Sequence, residues 1–422
     1  MKYTIHKFFL AAAVLVSAVS CHIKDDYTDI EMEHVAILYS AGFNSLSQDL
    51  NTNIRELTKG YVPSKNSSKA LVVAVKSTEG SYALQTSPYI IWIYRQSGRV
   101  VMDTIQAFPR GTIMAEAETM HTILESIDRR FHAKSYGMIY SSHGTGWLPS
   151  GYYNYPSLYE NGGGPSFSGR HSGRSPQLVI PYVEPEQEPG LPGVKSLGQD
   201  VTGGGSTSAE MEIQDFASAI PMKLDYLLID ACLMGGVETA YALRKTVGLI
   251  GFSPAEILQY GFDYTTMGGH LLKGSPDVRA VCNDYFKRYD NMSGSSRSAT
   301  ISLIDCTALD GLAATCRSLF AKYDMHDVVY TNVQGYFRRN KRYFFDLYDM
   351  VREAGATEAE LAELQAALDK CVIYKDTTPS FLGEFSIDTY SGLSSYLPAA
   401  GTAFLDSYYK ELEWNTATGL VK

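Results

Sequence analysis

Short apolar runs alternate with amphipathic stretches along most of the chain. "VAILYS" (Val35–Ser40), "LVVAV" (Leu71–Val75), "IIWIYR" (Ile90–Arg95) and "YGMIYSS" (Tyr136–Ser142) are brief and rich in β-branched and aromatic residues, which predicts strands. Between them, "EAETMHTILESIDRRF" sets Met120, Ile123, Leu124 and Ile127 at the i, i+3, i+4, i+7 spacing of one helical face. "TSAEMEIQDFASAI" repeats that spacing with Ile213, Phe216, Ala217 and Ile220, and Thr207 with Glu210 has the form of a capping box. Strands separated by such helices build βαβ units. The pattern predicts an α/β fold with a mainly parallel central sheet covered on both faces.

Two regions break the rhythm. From Pro149 to Ser206 the chain is dense in Gly, Pro, Ser and Tyr and holds no sustained period, so residues 149–206 read as one long loop. A second change falls near "NMSGSSRSAT" (Asn291–Thr300), after which "ISLID", "ATEAELAELQAALDKCV" and "SGLSSYLP" follow. A core over residues 34–294 and a C-terminal subdomain over 295–422 are expected on this basis.

Composition narrows the function. At 422 residues and 45% hydrophobic content the chain can bury one large core or two smaller ones. A formal net charge of -10, with no long basic run, would repel a phosphate backbone and excludes nucleic acid as a partner. Lys2 and Lys7 precede an apolar run, Phe8–Val19, that is too short for a stable membrane anchor and suits a signal peptide over residues 1–20. "SAVSC" then resembles a bacterial lipobox, which makes Cys21 the lipid-bearing end of a tether over residues 21–33. "KDD" (Lys24–Asp26) resembles the export signal that places Bacteroidetes lipoproteins on the outer face of the outer membrane. The alternative is a plain secretory signal with an incidental cysteine.

Five cysteines follow: Cys232, Cys282, Cys306, Cys316 and Cys371. An odd number, without CxxC or a His-rich partner spacing, argues against a zinc site and against a full disulfide framework, so at least one thiol should be free.

Candidate chemistry sits at two strand ends. "YGMIYSSHGTGW" ends a strand at His143 and "YLLIDACLMGG" ends another at Cys232. Residues at the carboxyl ends of adjacent parallel strands face one crevice, so this imidazole and thiol share a site if their strands are neighbours. Singly, each has a plain structural reading, the thiol as a small hydrophobe and the histidine as a turn element. Together they carry more. Gly235 and Gly236 open a helix whose N–H groups and dipole would favour a thiolate, and Gly144 leaves a backbone N–H for an oxyanion.

"SSHGTGW", "LLIDACLMGGVETAY" and "SGLSSYLP" resemble the clostripain-type cysteine peptidases (family C11, clan CD), relatives of caspases, gingipains and legumains. The resemblance implies a caspase-like α/β/α sandwich and a His143–Cys232 dyad, with the N–H groups of Gly144 and Cys232 as oxyanion donors. It also implies that Asp230 selects Arg or Lys before the scissile bond, in protein or peptide substrates. "PAEILQYGFDY" (Pro254–Tyr264) keeps the family's glutamate but lacks its proline-glycine turn, and "FFDLYDM" carries Tyr348 where the family has glycine. The chemistry needs no cofactor; calcium stays open, without any "DxDxDG" loop. A peptidase of this specificity would find Arg170, Arg174 and Lys195 within its own long loop, which makes a self-processed zymogen expected. Two rival readings are a catalytically silent surface peptide receptor on the same fold and a glycan-binding lipoprotein, the latter suggested by 30 tyrosines and the loop "GYYNYPSLY".

Overall fold

The structure, a computed structural model, describes residues 30–41, 46–76, 87–160, 179–181, 190–194, 200–202 and 207–422. The signal segment, Cys21, Arg170, Arg174 and Lys195 lie outside the described residues.

Nine strands make the central sheet: β1 (His34–Ser40), β2 (Lys69–Val75), β3 (Tyr89–Gln96), β4 (Arg99–Ala107), β5 (Tyr136–Ser141), β6 (Leu224–Asp230), β7 (Val247–Phe252), β8 (Thr300–Asp305) and β9 (Val372–Thr377). Their order across the sheet is β9-β8-β7-β6-β5-β1-β2-β3-β4. The middle five, β7-β6-β5-β1-β2, are parallel. Both edges are antiparallel, so the sheet is mixed around this parallel core. Connection chemistry explains one edge. Only Ser97 and Gly98 separate β3 from β4, both at positive φ (51° and 80°), and a two-residue turn of that kind folds the chain straight back on itself.

The labelled helices are α1 (Ser47–Lys59), α2 (Ala117–Arg130), α3 (Ile213–Ser218), α4 (Val237–Leu243), α5 (Tyr264–Leu272), α6 (Val278–Asp290), α7 (Leu309–Lys322), α8 (Glu358–Cys371) and α9 (Glu413–Thr418). They pack in two sets, α1 with α5 and α6, and the contiguous series α2-α3-α4-α9-α7-α8. The alternation of β6 sends these sets to opposite faces. Asp230 meets Tyr264 of α5, while its neighbour Ile229 is in register with Tyr140, whose ring lies 4.7 Å from that of Phe216 in α3. This is the caspase-like layering. The expected face of α2 is buried as its spacing requires, with Met120, Ile123, Leu124 and Ile127 all inside.

One expectation is corrected here. Thr207–Ala209 is a strand, pairing with Val179–Pro181 and Asp200–Thr202, so the helix starts only at Ile213 and Thr207 with Glu210 forms no capping box. The Glu210 carboxylate instead accepts the amide of Gly151, at 2.6 Å. After residue 295, β8 and β9 extend the sheet beyond β7. A capping box does occur in that stretch, at the start of α8, where Thr357 and Glu360 bond each other's backbone reciprocally.

Candidate active site

The ladder between β5 and β6 places the two strand ends together. Ser141 is in register with Asp230, and the amide of Ser142 still reaches the Asp230 carbonyl at 3.4 Å. His143 and Cys232 therefore stand at the same offset beyond one registered pair, at the carboxyl end of the parallel core. Past that point the two loops lie on each other. A Cβ at Gly144 would come within 2.6 Å of the Cys232 carbonyl oxygen and 2.7 Å of Met234 Cγ, so the backbone after the histidine rests directly on the backbone of the cysteine. Both His143 and Cys232 are buried.

The loop carrying Cys232 is held from a third direction. Leu233 N–H donates to the Ala255 carbonyl (3.0 Å) and Gly235 N–H to the Ser253 carbonyl (2.8 Å), so residues 253–257 run alongside it. That approach requires a glycine at 235, where a Cβ would stand 2.3 Å from the Pro254 nitrogen. Ile257 N–H then donates to Cys232 Sγ at 3.0 Å, and the thiol faces the Ile257 carbonyl at 3.5 Å. Leu233, next to the thiol, has φ of 60°, a left-handed conformation that costs a branched side chain energy and that the surrounding bonds hold in place.

The expected helix dipole does not act on the thiol as anticipated. α4 begins at Val237 with Gly236 as its cap and runs for 7 residues, so its first turn lies beyond the cysteine and the sulfur's N–H donor is Ile257. The other described cysteines are free and buried, and burial pushes the thiols of Cys306 and Cys371 up to about 12, leaving them protonated.

"SGLSSYLP" finds its role as a brace. Ser394 N–H donates to the Gly235 carbonyl at 3.0 Å, while Tyr396 N–H and Ser395 Oγ both donate to Glu238 Oε1 at 2.9 Å. Trp147 of the histidine block packs against Tyr396, ring centroids 4.7 Å apart. The three blocks, distant in sequence, thus form one unit.

Asp230 is fully buried, its Oδ2 accepting from Tyr264 (2.6 Å) and Ser141 (3.0 Å). A second buried carboxylate, Glu256, immediately precedes the residue that holds the thiol. Its Oε2 lies 3.6 Å from Arg338 Nη1. Burial, then Glu256 and Cys232, push the Tyr153 hydroxyl well above its usual value, and Lys341, three residues after Arg338, donates to the Tyr153 carbonyl at 2.7 Å. Arg338 and Ile257 are the site residues that sequence reasoning missed, and Glu256 was noted there only as a family residue without a role. The signal for Arg338 was the basic run "FRRNKR" in an acidic chain, whereas a backbone amide has no sequence signature.

The family model of the clostripain family matches residues 184–415, more than half of the chain. This chain belongs to that family. It is a cysteine peptidase by that membership. An inactive zymogen C11 protease from Parabacteroides distasonis is 27% identical, with 92% of this chain and 98% of that chain covered and a TM-score of 0.72. A secreted C11 cysteine protease from Bacteroides thetaiotaomicron, at 22% identity, covers 92% of this chain and 99% of its own with a TM-score of 0.71, and shows the same fold. The comparison with curated proteins gives no match.

Proposed function

We propose that this clostripain-family chain is an endopeptidase cutting after Arg or Lys, with Cys232 as nucleophile and His143 as general base and acid. The observation that carries the reading is the contact of Gly144 on the Cys232 carbonyl, which joins blocks 89 residues apart (232 − 143) at one strand-end crevice. Cys232 Sγ attacks the scissile carbonyl carbon and its proton passes to His143. The tetrahedral oxyanion lies toward the N–H groups of Gly144 and Cys232. His143 then protonates the departing amine, and a water activated by the same imidazole hydrolyses the thioester. No step requires a cofactor.

A basic specificity is supported by charge. Asp230, two residues before the thiol, and Glu256, next to the residue whose amide meets it, are both buried carboxylates, and a cationic side chain entering there offsets their desolvation. In this reading Asp230 and Glu256 together receive the P1 cation, with Tyr264 and Ser141 orienting the Asp230 carboxylate. It caps no helix, since the following helix is capped at Gly236. Self-cutting at Arg170, Arg174 or Lys195 and lipid anchoring through Cys21 belong to the same proposal, and the P. distasonis relative's description as an inactive zymogen supports the former. Among the described residues no helix is long and apolar enough to cross a membrane.

A thiol-directed peptidyl probe ending in Arg tests the reading. Wild type should label at Cys232 and Cys232→Ala should not. No label, together with no hydrolysis across a panel of P1 residues, would leave a silent receptor on the same fold.

A further inference from the structure

The ion pair beside the thiol joins residues from two distant loops. Glu256 belongs to the segment that holds Cys232, and the residue is 3% exposed. Arg338 comes from a hairpin-like loop whose base is closed by Tyr336 N–H on the Phe344 carbonyl, at 2.9 Å, and by Tyr336 OH on buried Asp346. The base is therefore fixed. Its tip is of a different kind, since Arg339 and Asn340 are successive non-glycine residues at positive φ, 51° and 64°. Such a pair is strained. What holds the tip is charge engaged with its surroundings. Arg338 reaches Glu256 and Glu384 at 3.6 Å each, Arg339 N–H donates to Glu384 at 3.2 Å, and Lys341 Nζ donates to the Tyr153 carbonyl at 2.7 Å while lying 4.1 Å from the centre of its ring. Burial, then Arg339, pull the Lys341 ammonium below the usual lysine value, as a cation drawn into a crowded site requires.

We propose that Arg338 is an internal plug: its guanidinium occupies, against Glu256, the place of the basic side chain that precedes a scissile bond, and substrates must displace it. The inference rests on the basic-specificity reading above and adds what regulates that site. A guanidinium on a buried carboxylate is the contact an arginine substrate would make there. Here the chain makes it itself. Displacement exchanges one such pair for another and releases the strain of residues 339–340, so the cost of opening is smaller than that of leaving Glu256 unpaired. Apparent affinity for a basic substrate then falls by the fraction of molecules in which the tip is open.

The test compares full-length wild type, Arg338→Gln and Glu384→Gln. It reads labelling of Cys232 by Arg-ended and neutral-ended thiol-directed probes, and hydrolysis of matching peptides, with and without millimolar guanidinium. The plug predicts that Arg338→Gln labels with the Arg-ended probe about tenfold faster or more, through a lower KM, because the closed fraction is lost. Guanidinium should compete in Arg338→Gln and change wild type little. Glu384→Gln, which keeps Arg338 and removes one of its anchors, should shift the same way by less, and it decides the matter if Arg338→Gln does not fold. Unchanged labelling in both variants overturns the plug. So does lower activity of Arg338→Gln on all substrates with recovery by guanidinium, which would make Arg338 a supporting counter-ion. Preference of wild type for the neutral-ended probe sinks the basic-specificity reading itself, and the plug with it.

Discussion

A methyl group at residue 144 would press on the backbone carbonyl of Cys232 and on Met234 at separations under 3 Å. Gly144→Ala should therefore displace the backbone that carries the proposed oxyanion donor. A loss of kcat of about 10²–10³, the usual effect of removing one such donor, is expected with the fold intact by circular dichroism. Asp230→Asn should lower kcat/KM on Arg and Lys peptides by roughly 10- to 100-fold, because charge-assisted bonds of about 1.5–3 kcal/mol become neutral ones. Reaction of Cys232 with iodoacetamide should proceed near the wild-type rate. Parallel slowing of both reactions would assign Asp230 to the proposed His143–Cys232 dyad. At this scale His143 and Cys232 were legible because a thiol and an imidazole each interrupt an apolar run at its end. Ile257 was not, since its contribution is an amide, and Arg338 was not, since a basic loop tip in sequence looks like any solvated turn.

Element by element, the short helix α4 depends on a carboxylate rather than on its length. Burial raises Glu238 above the usual glutamate value of 4.5, although Tyr409, Tyr396 and Ser395 donate to it. A carboxyl whose folded value is raised contributes stability that is complete below the ordinary value and is lost as pH climbs through the folded one. Glu238→Gln keeps an acceptor without the charge. Its unfolding free energy, measured in urea, should match wild type near pH 4 and exceed it toward pH 8, by about 1.4 kcal/mol for each unit of the raised value. No divergence with pH would mean that Glu238 stays ionised. Thr357→Ala should cost about 1 kcal/mol by removing the cap of α8, while labelling at Cys232 is unchanged. Helix α2 was legible from its four-residue face. The 207–220 helix was overextended because periodicity alone does not reveal that residues 207–209 spend their backbone groups in a small sheet.

Across the whole molecule, the parallel core was readable because strands buried on both faces carry unbroken apolar runs. The antiparallel edges were not, as direction there is set by connections such as Ser97–Gly98, and β4 exposes enough of its residues to lose the apolar signal. β5 and β6 are neighbours at the centre of the sheet, yet the long loop lies between them in sequence. If the loop is cut, the two fragments should separate on a denaturing gel and co-elute in native gel filtration, and Cys232→Ala should stay intact under the same incubation. Fragments that part under native conditions would contradict the shared sheet.

That placement also gives the uncut chain a memory that the cut one lacks. While the loop is whole, β5 and β6 meet at an effective concentration of the millimolar order, whatever the dilution. Once it is severed, the same ladder must form between separate molecules, and refolding becomes second order in protein. A processed molecule that unfolds in dilute surroundings would not return, so its working life would be set by its unfolding rate and not by its equilibrium stability.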